Sequence, residues 1–95
     1  MTSPDFERFR REQERLRSHV RVEPLNSPPQ LIAALDVHFP QRSQGLAAVV
    51  LLTAEGDLVE ERVATGEIDV PYVAGFLSFR ELPLGVRAFR KLRTT

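Results

Sequence analysis

The sequence predicts an α+β fold that contains one helix, a three-stranded antiparallel sheet and a second helix packed on that sheet. Three observations predict it: a charged opening segment with a thin apolar stripe, three apolar segments of strand length between turn residues, and a helix-start pattern near the end. The 95 residues provide a single modest core. We expect one domain, with the first helix and its connection over 1–24, the sheet over 31–66, a loop over 67–77 and the second helix over 78–93.

The first helix is predicted to begin at Ser3, because a hydroxyl N-cap there precedes Pro4 and acidic residues in the first turn. Helical spacing places an apolar stripe on one side, formed by Phe6, Phe9, Gln13, Leu16 and Val20. A stripe this thin has to dock on another part of the protein, whereas the charged residues around it are expected to be solvated. The segment 25–30, with two prolines, is predicted to be a linker.

Three strands are predicted next. Leu31 to Phe39 is almost continuously apolar, which is typical of a strand buried on both faces. A polar turn over 41–45 separates it from a second strand over 46–53. A tight turn over 54–57, where Gly56 allows a positive φ, leads to a third strand over 58–65. Polar residues in its middle, 60–62, predict that the third strand is the more exposed one.

A turn and a second helix complete the predicted fold. Pro71 lacks a backbone donor and biases the residue before it away from helix, so the chain turns there. Ser78 and Glu81 match a capping box, which by itself accounts for Glu81 as a structural residue. The buried side of this helix is expected to carry Leu82, Val86, Phe89 and Leu92.

The composition excludes several classes of protein. Thirteen acidic residues balance thirteen basic ones, so the net charge favours neither nucleic acid nor membrane. The absence of cysteine excludes disulfides and thiolate metal sites. The charged N-terminus has no apolar signal region, and no apolar run reaches the length of a membrane span. We therefore expect a soluble, cytoplasmic protein.

Asp36 is the first candidate for chemistry, because it interrupts an apolar strand. A buried carboxylate is costly unless it is paired, hydrogen-bonded or bound to a metal. Two explanations stay open: a hydrogen bond or ion pair near the strand's end, or a role as ligand to a hard cation such as Mg²⁺. A metal site needs a second carboxylate, and Glu81 is the best-placed candidate if the second helix begins over a central strand that carries Asp36.

The sequence then shows a long motif. Residues 71–81 follow the pattern PY-x-x-G-x-L-x-FRE, after AALDVHF and AAVVLLTAEGDLVEERVATG. Together these segments resemble the endonuclease V family of deoxyinosine-directed DNA repair nucleases. The resemblance implies a ribonuclease H-like fold in which metal ions, Mg²⁺ or Mn²⁺, polarise the phosphate, generate the attacking hydroxide and stabilise the leaving oxygen.

The resemblance also implies roles for individual residues. Asp36 and Glu81 match two metal-binding, catalytic carboxylates of the family. The wedge that enters the duplex at the lesion corresponds to Pro71, Tyr72, Val73 and Ala74, although the family usually has a second proline where this chain has Ala74. Gly75 matches the glycine of the pocket for the flipped base. His38, two residues after Asp36, is a candidate neighbour of the metal ligands.

The resemblance covers essentially the whole chain but only the N-terminal part of the family. The family's next metal-binding aspartate lies on a strand after the second helix, beyond Thr95 in this numbering. The implied partner is inosine-containing DNA or RNA, and the open sheet edge is expected to pair with the rest of the family's fold or with a second copy of the chain. Two functions from different classes follow: part of a metal-dependent endonuclease, or a truncated, non-catalytic protein that binds nucleic acid or another protein.

Overall fold

A computed structural model describes residues 5–94 and contains two helices and three strands. The elements in chain order are α1 (Phe6–Arg17), β1 (Leu31–Gln41), β2 (Gln44–Thr53), β3 (Leu58–Glu67) and α2 (Leu77–Phe89). The predicted α+β fold is therefore confirmed. Within the described residues, neither helix combines the length and apolar character that crossing a membrane requires.

Helix α1 begins later than predicted. The expected cap, Ser3, lies outside the described residues, and the structure shows Asp5 as N-cap, with its carboxylate accepting a hydrogen bond from the Arg8 amide at 2.9 Å. Asp is as good a cap as Ser, because its side-chain oxygen satisfies an amide that has no partner within the helix. Between α1 and β1 the chain forms no helix or strand, as the prolines predict.

The three strands form an antiparallel sheet in the order β1-β2-β3. Only Arg42 and Ser43 separate β1 from β2, so that turn is shorter than predicted. The turn from β2 to β3 contains Gly56 with a φ of 96°, which confirms that this position needs glycine. The central strand is β2, whereas Asp36 lies on β1, an edge strand of the described sheet.

Two expectations about strand burial are wrong. No residue of β1 is buried, although its sequence predicted burial on both faces, and β3 is the less exposed of the two outer strands because it contains the buried Ala64. The physical reason is coverage: α2 packs on one face of the sheet only, and β1 has no neighbour on its outer side among residues 5–94. An apolar run therefore does not show by itself which layers cover a strand.

Helix α2 also differs from the prediction at its start and on its buried side. Its N-cap is Phe76, which makes no side-chain capping bond, so Ser78 and Glu81 lie inside the helix and form no capping box. The buried residues are Leu84, Gly85 and Ala88, whereas Leu82 and Phe89 are each 53% exposed. Leu82 and Val86 instead line a groove of about 950 Å³ between α1 and α2.

Small residues allow α2 to approach the sheet closely. The core contains Ala47 and Val49 of β2 together with buried residues of β3 and α2, which are Ala64, Leu84 and Ala88. A Cβ added at Gly85 would lie 2.7 Å from Leu35 Cδ2, and one at Gly45 would lie 2.9 Å from Leu84 Cδ2. These glycines therefore set the distance between helix and sheet, and with it the position of the first turns of α2 relative to β1.

Candidate functional site

The two predicted carboxylate positions line one cleft. A cleft of about 170 Å³ lies between β1 and the first two turns of α2, lined by Leu35, Asp36, Val37, Ser78, Glu81 and Leu82. The close packing of Gly85 on Leu35 explains this proximity, because Glu81 precedes Gly85 by one helical turn and Asp36 follows Leu35. The structure thus brings Asp36 and Glu81 to the same concave surface.

Asp36 reaches this cleft at the open edge of β1. The side chain of Leu35 contacts α2 and Val37 packs on the core, so the alternation of side chains along a strand places Asp36 and His38 on the other face. Within residues 5–94, β1 has no neighbouring strand on its outer side, so residues on both of its faces adjoin the open edge where the cleft lies. His38 shares the face of Asp36, but it is not among the residues that line the cleft.

The structure changes the reason for interest in Asp36. Its side chain is exposed in the middle of β1, so the carboxylate keeps contact with water and burial does not require a ligand. Asp36 and Glu81 form no ion pair among the described residues, which leaves both free to accept other partners. What singles them out is that both residues line one cleft.

The donors in the cleft suit a hard cation. Mg²⁺ is held in proteins by one or two carboxylates and completes its coordination with water and phosphate oxygens. Asp36 and Glu81 are the two acidic residues of the cleft lining. No group of three or more His, Cys, Asp or Glu side chains within residues 5–94 has the arrangement of a protein-only metal cage. The cleft fits Mg²⁺ better than a metal such as Zn²⁺, which needs three or four protein ligands.

The segment between β3 and α2, residues 68–76, forms a loop whose middle is exposed. Pro71, Tyr72 and Ala74 are all exposed, and Tyr72 has 70% of its surface accessible. The start of the loop is held at Ile68, whose amide donates to the Ser43 carbonyl at 2.7 Å. The loop therefore exposes the Tyr72 side chain, while its first residue is anchored by a backbone hydrogen bond.

Arg80 connects this loop to both α2 and β1. Its Nη1 atom donates to the Val70 carbonyl at 2.8 Å, and its guanidinium lies 4.3 Å from the centroid of the Phe39 ring. A planar guanidinium can make both contacts at once, which Lys cannot do with the same geometry. Arg80 thus fixes the position of Val70, next to the exposed Pro71 and Tyr72.

The end of the loop contains Gly75 in a left-handed conformation, with a φ of 90°. A Cβ added there would meet no atom within 4 Å, so glycine is required for the backbone conformation and the space in front of it is open. Open space beside Gly75 is compatible with its predicted place in a base pocket. That role remains a prediction.

Helix α1 packs against the end of the loop. Its apolar stripe, the end of the loop and the first turn of α2 form what we call the phenylalanine cluster, which consists of Phe6, Phe9, Phe76 and Phe79. The rings of Phe9 and Phe79 stack at 4.1 Å between centroids, and those of Phe6 and Phe76 stack at 5.5 Å. Gln13 Nε2 donates to the Gly75 carbonyl, at 2.6 Å. The predicted docking of the stripe thus has a partner for its first half, whereas Leu16 and Val20 remain 46% and 69% exposed.

Arg80 and Gln13 make the hydrogen bonds that hold the two ends of the loop, and the sequence alone assigned neither residue this role. Arg80 lies inside the FRE motif, and its motif position was the only signal available. Gln13 lies in the apolar stripe, where a lone amide among phenylalanine and leucine at helical spacing indicates a polar contact across the docking surface.

Comparison with known proteins gives a consistent result. A sequence model of the Endonuclease V family matches residues 14–95. Endonuclease V of Geotalea uraniireducens is 36% identical over 89 residues, which cover 94% of this chain and 38% of that protein. The crystal structure of endonuclease V from Streptomyces avermitilis is 34% identical, with a TM-score of 0.84, and the match covers 98% of this chain and 42% of that one.

A further solved structure contains DNA. It is that of Ciona intestinalis endonuclease V with a 24mer DNA that contains an inosine followed by a ribo-adenosine. The TM-score is 0.78 and the identity 19%, over 90% of this chain and 38% of that one, so this likeness shows the fold alone. The likeness to the Streptomyces avermitilis structure agrees with the predicted ribonuclease H-like architecture. This chain spans about two fifths of the length of these three relatives.

Proposed function

This chain belongs to the endonuclease V family, and we propose that it provides the lesion-probing loop and two metal ligands of a DNA repair nuclease that hydrolyses a phosphodiester bond near deoxyinosine. The observation that carries the proposal is the continuity of the two features. The exposed Tyr72 and the cleft residue Glu81 lie on one segment, formed by the loop and the first turns of α2. A base recognised at the loop would therefore leave its backbone near the cleft.

The loop residues have the chemistry of a wedge. Side chains inserted between bases replace part of the stacking that is lost when a duplex is opened, and an aromatic ring does so best. Tyr72 supplies the ring, and Pro71 restricts the backbone beside it. Val73 is half-buried, and Ala74 leaves the end of the wedge less rigid than a second proline would. Gly75 offers open space for the displaced base.

Asp36 and Glu81 would hold the metal ion, Mg²⁺ or Mn²⁺. When bound, such an ion polarises a phosphoryl oxygen, lowers the pKa of a coordinated water and stabilises the leaving oxygen. The two carboxylates would fix the ion at the cleft and leave coordination positions open for phosphate oxygens and water. His38 lies on the same face as Asp36 and is proposed to orient its carboxylate through a hydrogen bond.

The proposed substrate is inosine-containing DNA, or RNA with the same base. A related protein, the Ciona intestinalis endonuclease V, has been crystallised with inosine-containing DNA, which supports this choice. The formal net charge of zero favours weak nonspecific binding, because affinity for undamaged duplex depends mainly on phosphate neutralisation. Discrimination between a deoxyinosine-containing duplex and an undamaged one would then depend on the loop. The cytoplasm, where nucleic acid is accessible, is the proposed location.

The open edge of β1 is the proposed site of association, with either the part of the family fold that this chain does not span or a second copy of the chain. Unpaired backbone groups on an edge strand favour strand addition. Light scattering coupled to size-exclusion chromatography separates the two: a dimeric mass supports the second copy, and a monomeric mass at all concentrations excludes it.

Metal-dependent cleavage is the central test. The 95-residue chain is incubated with Mg²⁺ or Mn²⁺ and either a duplex that contains one deoxyinosine or the matched undamaged duplex. We expect scission of the deoxyinosine duplex only, and its loss in Asp36→Asn and in Glu81→Gln, which keep the shape but not the charge of each ligand. Glu55→Gln is the matched control, because Glu55 is exposed in the turn between β2 and β3.

Metal binding is measured separately, because the whole family protein is more than twice as long as this chain. Mn²⁺ broadens NMR resonances of nearby nuclei, so the amides around positions 36 and 81 should broaden first, and the effect should disappear in both cleft variants. Broadening without cleavage favours the non-catalytic alternative. Equal broadening in wild type and both variants would remove the metal site from the proposal.

A further inference from the structure

The contact between α1 and the end of the loop is built from two different interactions. The phenylalanine cluster supplies apolar packing, in which Phe9 is 5% exposed and is the buried residue of α1. Gln13 supplies a single hydrogen bond to the carbonyl of Gly75. Both interactions reach the end of the loop, the hydrogen bond at Gly75 and the cluster at Phe76, and the cluster continues into the first turn of α2 at Phe79.

The hydrogen bond from Gln13 acts at the residue that determines the loop's direction. Gly75 has a positive φ, and glycine can exchange such a conformation for many others at little cost. A donor that is hydrogen-bonded to its carbonyl favours one of these conformations, although both groups are exposed to solvent. The Gln13 side chain comes from a residue 62 positions away, so it fixes the loop against an independent element of the structure.

The rest of the loop shows why this contact matters. Arg80 holds Val70 at the start of the exposed segment, and Gln13 holds Gly75 at its end. Between these points Tyr72 is 70% exposed, and no hydrogen bond from another element reaches its side chain among the described residues. The direction of the Tyr72 ring therefore depends on the two ends of the loop.

We propose that α1 positions the lesion-probing loop, and that Gln13 is a positioning residue which holds the Gly75 carbonyl and thereby orders Tyr72 before DNA binds. Preorganisation of this kind increases affinity because the ordering cost is removed from the binding step. The inference rests on the proposed function for its consequence in DNA recognition, but not for its effect on loop mobility. Gln13 lies just before the residues that the family model matches, 14–95.

The sequence provides an intrinsic probe for this proposal. Tyr72 is the single tyrosine, and the chain has no tryptophan, so tyrosine fluorescence reports on the loop alone. Gln13→Glu is nearly isosteric but removes the N–H donor and places a carboxylate against the Gly75 carbonyl. Glu14→Gln, at the next and exposed position of α1, is the matched control for a changed charge on the helix surface.

We expect lower Tyr72 fluorescence anisotropy in Gln13→Glu than in wild type, with unchanged circular dichroism, and no change in Glu14→Gln. We also expect the preference for a deoxyinosine duplex over the undamaged duplex to fall by about 2- to 10-fold in Gln13→Glu, the range associated with one hydrogen bond. Gln13→Lys, which restores a donor on a long side chain, should recover part of both losses.

Two results would overturn the positioning role. One is unchanged Tyr72 anisotropy in Gln13→Glu, and the other is an equal loss of affinity for both duplexes. A Tyr72→Ala variant separates this failure from failure of the proposed function. If Tyr72→Ala leaves the lesion preference intact, the wedge proposal fails, and the anisotropy measurement alone still decides whether Gln13 orders the loop.

Discussion

Helices α1 and α2 are held in place in different ways. Helix α2 lies directly on the sheet, where glycine and alanine allow close approach and Leu84 and Ala88 are buried. Helix α1 touches the rest of the protein mainly through the phenylalanine cluster and one hydrogen bond from Gln13. The difference indicates a division of roles. The unit formed by α2 and the sheet, which we call the platform, carries the cleft lined by Asp36 and Glu81, and α1 is proposed to hold the loop beside it.

The largest expected effect distinguishes buried from exposed positions on α2. Leu84→Ala should lower the free energy of unfolding by about 2–5 kcal/mol, because it leaves a cavity in the core. Leu82→Ala, on the same helix but 53% exposed, should cost less than about 1 kcal/mol. Urea unfolding of both variants measures the two values. A larger loss of unfolding free energy for Leu82→Ala than for Leu84→Ala would indicate that Leu82 is on the buried face of α2, as the sequence predicted.

A smaller effect is expected where α1 meets the loop. Phe9→Ala should release α1 with a loss of about 2 kcal/mol, since the Phe9 ring stacks on Phe79 but the cluster is partly exposed. An isolated helix of this length is marginal in water, so its amides should lose protection once it undocks. Hydrogen exchange should show the loss in α1 and not in β2. A uniform loss across both elements would contradict the division between platform and α1.

The two regions also differ in how far their structure followed from the sequence. The order of elements and the Gly56 turn were predictable, because turn residues and apolar runs act locally. The buried face of α2 was not, because two sets of residues have helical spacing: the large residues Leu82, Val86 and Phe89, and the set Leu84, Gly85 and Ala88, in which one leucine is accompanied by two small residues. Only the sheet surface, with its own small residues, selects between them.

The predictions for the start of α2 and for the burial of β1 were wrong because both depend on which parts of the protein pack together, which local sequence does not specify. The Ser78 and Glu81 pattern predicted a cap, but Phe76 is held by the phenylalanine cluster and the helix begins there, so tertiary packing overrides the local signal. The pairing of Glu81 with Asp36 was predicted from the expected position of the second helix and then from the resemblance to a family. Both residues line one cleft, and their role as metal ligands stays a prediction. The Gln13 contact spans 62 positions, a distance over which sequence periodicity carries no information.

The next prediction concerns the exposed part of the loop. Tyr72→Ala should weaken binding to a deoxyinosine duplex by about 1 kcal/mol, the lower end of the range for stacking one base on an aromatic side chain. Binding to the undamaged duplex should change less, because no base has to leave the stack. Fluorescence titration of labelled duplexes measures both affinities. Equal losses on the two duplexes would argue against the wedge.

The smallest expected effect is a change in stability at acid pH, and it concerns Glu60 on β3. The carboxylate of Glu60 on β3 accepts hydrogen bonds from the backbone amides of Arg93, at 2.9 Å, and Thr94, at 3.0 Å, and so holds the chain after α2 against the sheet. These hydrogen bonds lower the pKa of Glu60 from its usual 4.5, and the nearby charge of Arg62 adds to the effect.

A lowered pKa means that the native state favours the ionised carboxylate, so its stabilisation is complete above about pH 4.5 and is lost as the pH falls through the lowered value. Glu60→Gln keeps an acceptor but has no charge to titrate. We expect it to be less stable than wild type near pH 7 and to approach wild type as the pH falls below 4.5. Thermal unfolding across this range measures the difference. Glu61→Gln, exposed at the next position, should follow wild type at every pH, and an identical convergence in that control would show that general charge, not the Glu60 contact, holds the end of the chain.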